Sequence, residues 1–406
     1  LKAIYDLLII AGVCVTLLIA SEIGSRLVLR VLATNTSQET TDPRSQLPAY
    51  ADSPYDAATY WRQFHAAKHE VYYPYIVWRQ QSSSASLINI DDQGNRKTHY
   101  NSGDPAALQV WMMGGSTMWG MGTPDAHTIP SAVAKILNDE RGIAARVRNL
   151  GEIGFVSTQE LTQLVRELQT GRRPDIVIFL DGVNDAPAAA LWPDVPGSHM
   201  NLYSIRSRFE HHDPHESAML ALIKTTGLHH LAGYIAARLM PKGMDQGNWT
   251  TPASPQITIS EGNQAADIWM SNIRMIRALG RSFGFKPYFF LQPSLLVGEK
   301  TRSASERRLA EKEKKNPAKK AGMAVYAEMR RAVRGILADK PIPGVFDQTD
   351  LFRNVDDSLY VDYVHIADRG NELIARDIVT TVIEQYCADL TGGRNTAPDS
   401  GTPCRR

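Results

Sequence analysis

Four short stretches carry residue types that can do chemistry together. Gly114-Gly115-Ser116-Thr117 sets a lone hydroxyl behind two glycines, at the end of the apolar run Leu108 to Met113. A serine hydroxyl is barely ionised at neutral pH and attacks a carbonyl only when a neighbouring base takes its proton. Asp362-x-x-His365 supplies that base, with a carboxylate three residues before an imidazole and able to hold the ring in one tautomer. Attack also creates an oxyanion, which needs fixed donors. Gly154 can present a backbone N–H with no side chain in the way, and the Asn184 amide can reach the same point. The competing reading is that Gly-Gly-Ser is only a turn and the Asp-His pair only caps a helix. That reading would win if the other strand ends were bland.

They are not bland. The run Leu108–Met113 reads as a buried strand, followed by a helix through Ala132–Leu137. Arg146–Leu150 is a second strand ending at Asn149-Leu150-Gly151, and Thr158–Gln169 is the next helix. Pro174–Leu180 is a continuous apolar strand of the doubly covered kind, ending in Asp181-Gly182-Val183-Asn184-Asp185. A helix over 264–283, a strand Lys286–Leu291, a helix Ala321–Leu337 and a last strand Gly344–Asp347 continue the rhythm. Strands alternating with helices predict a parallel sheet with right-handed crossovers, and ligands then bind outside the carboxyl ends of the strands.

With the four stretches in this order, the chain resembles the SGNH or GDSL hydrolase superfamily over roughly Leu108 to Tyr386. Gly114-Gly115-Ser116-Thr117 matches the nucleophile block, Asn149-Leu150-Gly151 through Gly154 the second, Gly182-Val183-Asn184-Asp185 the third and Asp362-x-x-His365 the last. The resemblance implies a three-layer, flavodoxin-like α/β/α domain. It further implies Ser116 as nucleophile, His365 as base, Asp362 as orienting acid, and Ser116 N–H, Gly154 N–H and the Asn184 side chain as oxyanion donors, with no cofactor or metal. One departure is Gly115, where the best-known form of the family has Asp, so hydrogen bonding around the turn must differ.

The rest of the chain sets the context. With 406 residues, 43% apolar, 21% charged and a net charge of +1, it is globular in composition and has no global pull toward nucleic acid. Residues 1–32 predict an uncleaved membrane anchor helix, meeting the bilayer through 3–32, with a signal peptide as the alternative. Residues 33–56 predict a linker, and 57–106 an extension with a hairpin, whose Tyr60, Trp61, Phe64, Tyr72, Tyr73, Tyr75 and Trp78 either pack onto the main domain or form a sugar groove. The hydrolase-like domain is expected over 107–390. It carries an inserted cap at 187–262 with six histidines of no metal-ligand spacing and a basic helical arm at 299–320 that is either solvated or in contact with lipid headgroups or an acidic partner. A disordered tail is expected over 391–406, with Cys387 and Cys404 either paired or free thiols. The layout is similar to bacterial membrane-anchored members of the superfamily, and that resemblance implies a single-pass cytoplasmic-membrane esterase, its main domain periplasmic, acting on O-acyl and chiefly O-acetyl groups of envelope carbohydrate or on a small ester. The alternatives are an O-acetyltransferase using the same triad and a scaffold subunit of a membrane protein complex.

Overall fold

The computed structural model describes residues 2–36, 41–210, 223, 225–239 and 255–390. The chain divides into two units, Leu1–Thr41 with Asn201–Trp249 and Asp42–Met200 with Thr250–Arg406.

The larger unit begins with two small antiparallel pairs, β1 (Glu70–Tyr73) with β2 (Val77–Gln80) and β3 (Ser83–Ser84) with β4 (Asn89–Ile90). The main sheet follows: β5 (Leu108–Gly114), β6 (Ala145–Asn149), β7 (Ile176–Asp181), β8 (Lys286–Leu291) and β9 (Val345–Asp347), all parallel, in the order β6-β5-β7-β8-β9. Counted by appearance, the order is 2-1-3-4-5, that of flavodoxin-like sheets. All six residues of the central β7 are buried, as an apolar strand covered on both faces requires. Alternate residues feed opposite layers. Trp111, Met113, Val177 and Phe179 pack with helices Ser157–Gln169, Pro255–Phe283 and Pro317–Asp339. Val110, Met112, Ile176 and Ile178 pack with helices Ile129–Lys135 and Asp368–Leu390.

Several local expectations change. The helix leading to β8 starts at Pro255, well before Gln264, and the one leading to β9 starts at Pro317, where Pro is pre-set for the first turn and Asn316 accepts from Ala318 and Lys319 N–H. The stretch 299–320 is not a freely solvated arm. Lys300 and Glu306 are buried there as an ion pair at 2.9 Å, and Glu306 also accepts from Leu359 N–H at 2.9 Å and Tyr360 N–H at 3.3 Å. A buried charge must be paired, so this stretch is tied to the segment that runs into Asp362. The stretch 33–56 is not a plain linker either. The first helix continues to Thr36, and Pro43–Tyr50 forms two short 3-10 turns with Tyr50 buried and its hydroxyl on Gly122 O at 2.7 Å. Residues 391–406, Cys404 and its pairing with Cys387 lie outside the described residues.

The aromatics of the lead-in divide. Tyr60, Trp61 and Phe64 bury one face of helix Ala57–Ala67 against Trp119, Val361 and Ala367, whereas Tyr72 and Tyr75 stay exposed. Packing, not a groove, accounts for the first three.

In the smaller unit the helix Lys2–Thr36 contains a segment, Ile4–Val31, long and apolar enough to cross a membrane by length and composition. Glu22 pairs with Arg26 at 2.6 Å, and its carboxylate accepts the Gly227 N–H at the start of helix Gly227–Leu239. The expected inserted cap is therefore not one element: Asp185–Leu191 is a helix of the larger unit, and 201–249 group with the N-terminal helix. His211, His212 and His215 lie outside the described residues.

Arg96 is the deepest charge of the lead-in. It pairs with Asp125 at 2.8 Å, donates to Gly120 O at 2.7 Å and Thr123 O at 2.6 Å, and stacks on Trp119. Arg96→Met leaves Asp125 buried and unpaired. A loss of about 3–5 kcal/mol in unfolding free energy is expected, read by urea denaturation, and Asp125→Asn in the same chain should recover part of it.

Candidate active site

β5 ends in the turn Gly114-Gly115, and the chain enters the short helix Ser116–Trp119, which leaves the Ser116 hydroxyl at the carboxyl edge of the sheet. This helix is fixed from beneath: Gln292, just past β8, donates from Nε2 to Thr117 Oγ1 at 2.8 Å, and the Tyr326 hydroxyl donates to Gln292 O at 2.6 Å. His365 arrives from the far end of the chain. Its Nε2 lies 2.6 Å from Ser116 Oγ, and its Nδ1 lies 2.6 Å from Asp362 Oδ2.

Proton placement follows from the acceptors. A carboxylate can only accept, so Nδ1 carries the hydrogen, Nε2 is the lone-pair nitrogen, and the serine O–H donates to it. Asp362 is held ionised. Burial alone would raise its pKa, but the charge and hydrogen bond of His365, with the backbone N–H groups of His365 at 2.8 Å and Val364 at 2.9 Å on Oδ1, bring it down to about 2.

The second and third strand ends close around the serine. After β6 the chain turns through Gly151-Glu152-Ile153-Gly154, with Glu152 N–H on Gly114 O at 3.0 Å. Gly154 has φ +77°, a left-handed conformation that residues with a side chain adopt only under strain. Among the described residues no acceptor takes its N–H. Asn184, past β7, donates from Nδ2 to Phe155 O at 2.8 Å, and a Cβ at residue 115 would stand 2.5 Å from that nitrogen. The Gly115 departure thus has a physical reason: the Asn184 amide fills the space a side chain would need. Ser116, His365 and Asp362 are brought into one hydrogen-bonded chain, with Gly154 and Asn184 on the adjoining turns.

Sequence reasoning missed two layers behind these groups. One is the buttress of the second turn by β2. Trp78 Nε1 donates to Ile153 O at 2.9 Å, and Gln80 binds the buried Glu152 carboxylate through N–H at 3.2 Å and Nε2 at 3.1 Å. The other is a group of buried acids beneath the third strand end. Ser157 donates to Asp185 through both Oγ and N–H, Trp269 Nε1 donates to Asp181 Oδ2 at 3.1 Å, and the Glu160 carboxyl acts on that of Asp181. Burial pushes all three carboxyls up. Asp181 reaches about 7, and Glu160 goes well above the usual range under the added charges of Asp181 and Asp185. Of the three, only Asp181 carries a sequence signal, an acid directly after the apolar run Ile176–Leu180.

No protein-family model and no curated protein matches the chain. Solved structures similar to it include a carbohydrate acetylesterase family member from Sinorhizobium meliloti, at 15% identity and TM-score 0.34, over 68% of this chain and 98% of that one. An acetylxylan esterase from Geobacillus stearothermophilus aligns at 13% identity and TM-score 0.35, over 70% and 95%. The acetyl xylan esterase AlAXEase aligns at 13% and 0.36, over 68% and 100%.

The buried acids make stability pH-dependent with a definite sign. Asp181 has its native pKa raised from 3.8 to about 7. Its contribution is full below pH 3.8 and is lost as pH rises through about 7. Asp181→Asn mimics the protonated acid and escapes that loss. In thermal melts the variant should match the wild type near pH 4 and gain on it progressively toward pH 8.

Proposed function

We propose that the chain is a serine esterase that removes small O-acyl groups, O-acetyl foremost, from carbohydrate through an acyl-enzyme. The observation that carries this reading is the chain Ser116 Oγ to His365 Nε2 to Asp362 Oδ2, with both contacts at 2.6 Å. As Ser116 Oγ bonds to the acyl carbon, its proton passes to His365 Nε2, and the imidazolium is stabilised by ionised Asp362. The Ser116 and Gly154 N–H groups and the second hydrogen of Asn184 Nδ2 receive the oxyanion. Collapse breaks the bond to the sugar oxygen, which leaves with the proton from His365. Water repeats the sequence in reverse roles and releases the free acid. A nucleophile only 7% exposed, beside a histidine at 8%, suits a small acyl group better than a long one.

We further propose that Ile4–Val31 is a single-pass anchor in the bacterial cytoplasmic membrane, with the sheet unit on the periplasmic side, where acylated envelope carbohydrate is the available substrate.

The test pairs labelling with turnover. A fluorophosphonate probe should mark the wild type and leave Ser116→Ala unmarked. Hydrolysis of p-nitrophenyl acetate and of an acetylated oligosaccharide should fall at least about 10,000-fold in Ser116→Ala and His365→Ala. Asn184→Ala should keep the probe adduct and lose about 100- to 1,000-fold in kcat. Absence of both a Ser116-dependent adduct and ester turnover in the wild type overturns the reading. Transfer of the acyl group to an added sugar in preference to water would make the protein a transferase.

A further inference from the structure

The oxyanion site has a support from outside the four blocks. The Gly154 N–H and the Ile153 carbonyl are the two ends of one peptide group. A peptide group is planar, so fixing the oxygen fixes the direction of the N–H at the opposite end. The turn does not fix that plane unaided, because glycine populates both signs of φ with similar ease. The carbonyl is held by one side chain: Trp78 Nε1 donates to Ile153 O at 2.9 Å across 75 residues. The indole is itself locked, buried to 4% exposure and packed edge-on against Phe155 at 5.6 Å and His199 at 5.5 Å between ring centroids. Its Cζ2 stands 3.5 Å from where a Cβ on Gly154 would be.

The strand that carries Trp78 is anchored after it to the same turn and before it to helix Ser157–Gln169. Gln80 holds Glu152, whose Oε1 also accepts the Ile153 N–H at 2.8 Å, and Gln159 Nε2 donates to Ile76 O at 2.9 Å. Val77, directly before the tryptophan, has φ +79°. For a β-branched residue this is a costly conformation, kept only where the surroundings impose it.

We propose that Trp78 is a positioning residue of the oxyanion site, whose indole N–H sets the Ile153–Gly154 peptide so that the Gly154 N–H faces the developing oxyanion. Donation into the carbonyl also polarises the N–H at the far end of the same amide, which strengthens it as a donor. The proposal rests on the esterase reading for the role of Gly154, and on the structure alone for the contact.

Two variants and two readouts test it. Trp78→Phe keeps a ring against Phe155 and removes the donor. Trp78→benzothienylalanine keeps the bicyclic shape and replaces N–H by sulfur, so it guards against a general packing defect. Carbonyl-13C isoleucine with 15N-glycine reports only the Ile23–Gly24 and Ile153–Gly154 peptides of this chain. Both variants should lower kcat by roughly 10- to 100-fold, a fraction of one donor's worth, with KM and Tm near wild type. Both should move the Ile153–Gly154 signal and leave Ile23–Gly24 in place. A kcat within twofold of wild type in the sulfur variant overturns the role of Trp78 and leaves the esterase standing. A wild type without Ser116-dependent turnover overturns the esterase reading, and an unmoved Ile153–Gly154 signal overturns the Trp78 contact whatever the turnover.

Discussion

The hydrogen bond from Ser116 to His365 joins residues 249 apart in sequence, and most of the larger unit serves to make that bond short. Side-chain hydroxyls and imidazoles cannot find each other across such a distance unless both backbones are immobile. The serine end is fixed by a parallel sheet whose carboxyl edges come to one level, with Met112 beside Asn149, Gly114 beside Leu180 and Asp181 beside Leu291. The histidine end lies on no strand. It is fixed by Glu306 on the segment before it and by the helix that follows, where Asp368 accepts from the Tyr55 hydroxyl at 2.7 Å. Both ends meet the lead-in, since Trp119 and Val361 share one core with Tyr60, Trp61 and Phe64.

Two carboxyl groups near this edge are driven in opposite directions by their donors, not by their depth. Asp362 and Asp181 are both buried, and burial disfavours the charge in each. Asp362 receives two backbone N–H groups and an imidazole, so the ion wins. For Asp181, burial and the charge of Asp185 outweigh the opposing pull of Glu160 and of one indole N–H, so its pKa rises to about 7. The serine–histidine pair thus has one ionised carboxylate against the Nδ1 side of its ring. Near the turn that carries Asn184, burial raises the carboxyls of Asp181, Asp185 and Glu160, which lowers the negative charge they hold.

Much of this was legible in the sequence because it depends on local pattern. Apolar runs that stop at Gly-Gly-Ser, Asn-Leu-Gly and Asp-Gly-Val-Asn announce strand ends, and the alternation with helices announces a parallel sheet. The Asp-x-x-His spacing announced an oriented imidazole. What was not legible depends on contacts between distant segments. Trp78 meets Ile153, Lys300 and Glu306 bury each other under a stretch that reads as solvated, and helix Gly227–Leu239 groups with the first helix. Composition describes the charges of 299–320 correctly and cannot say that Lys300, Glu306 and Glu313 are buried. Element boundaries erred for a related reason, since helices Pro255–Phe283 and Pro317–Asp339 extend past their apolar periodicity to a proline that starts them.

The missing side chain at position 115 shows how the site accommodates a departure from the pattern it resembles. With only hydrogen there, the Asn184 amide stands against the Ser116 turn, and one of its two hydrogens is spent on Phe155 O. An amide has two N–H bonds at a fixed angle, so anchoring one aims the other. The Gly154 N–H is aimed in the same manner, by anchoring the opposite end of its own rigid group. Neither donor is positioned by the strand that delivers it. Each is set by a second bond to or from the 153–155 turn, so the geometry around Ser116 depends on that turn, and the turn depends on a lead-in strand outside the sheet.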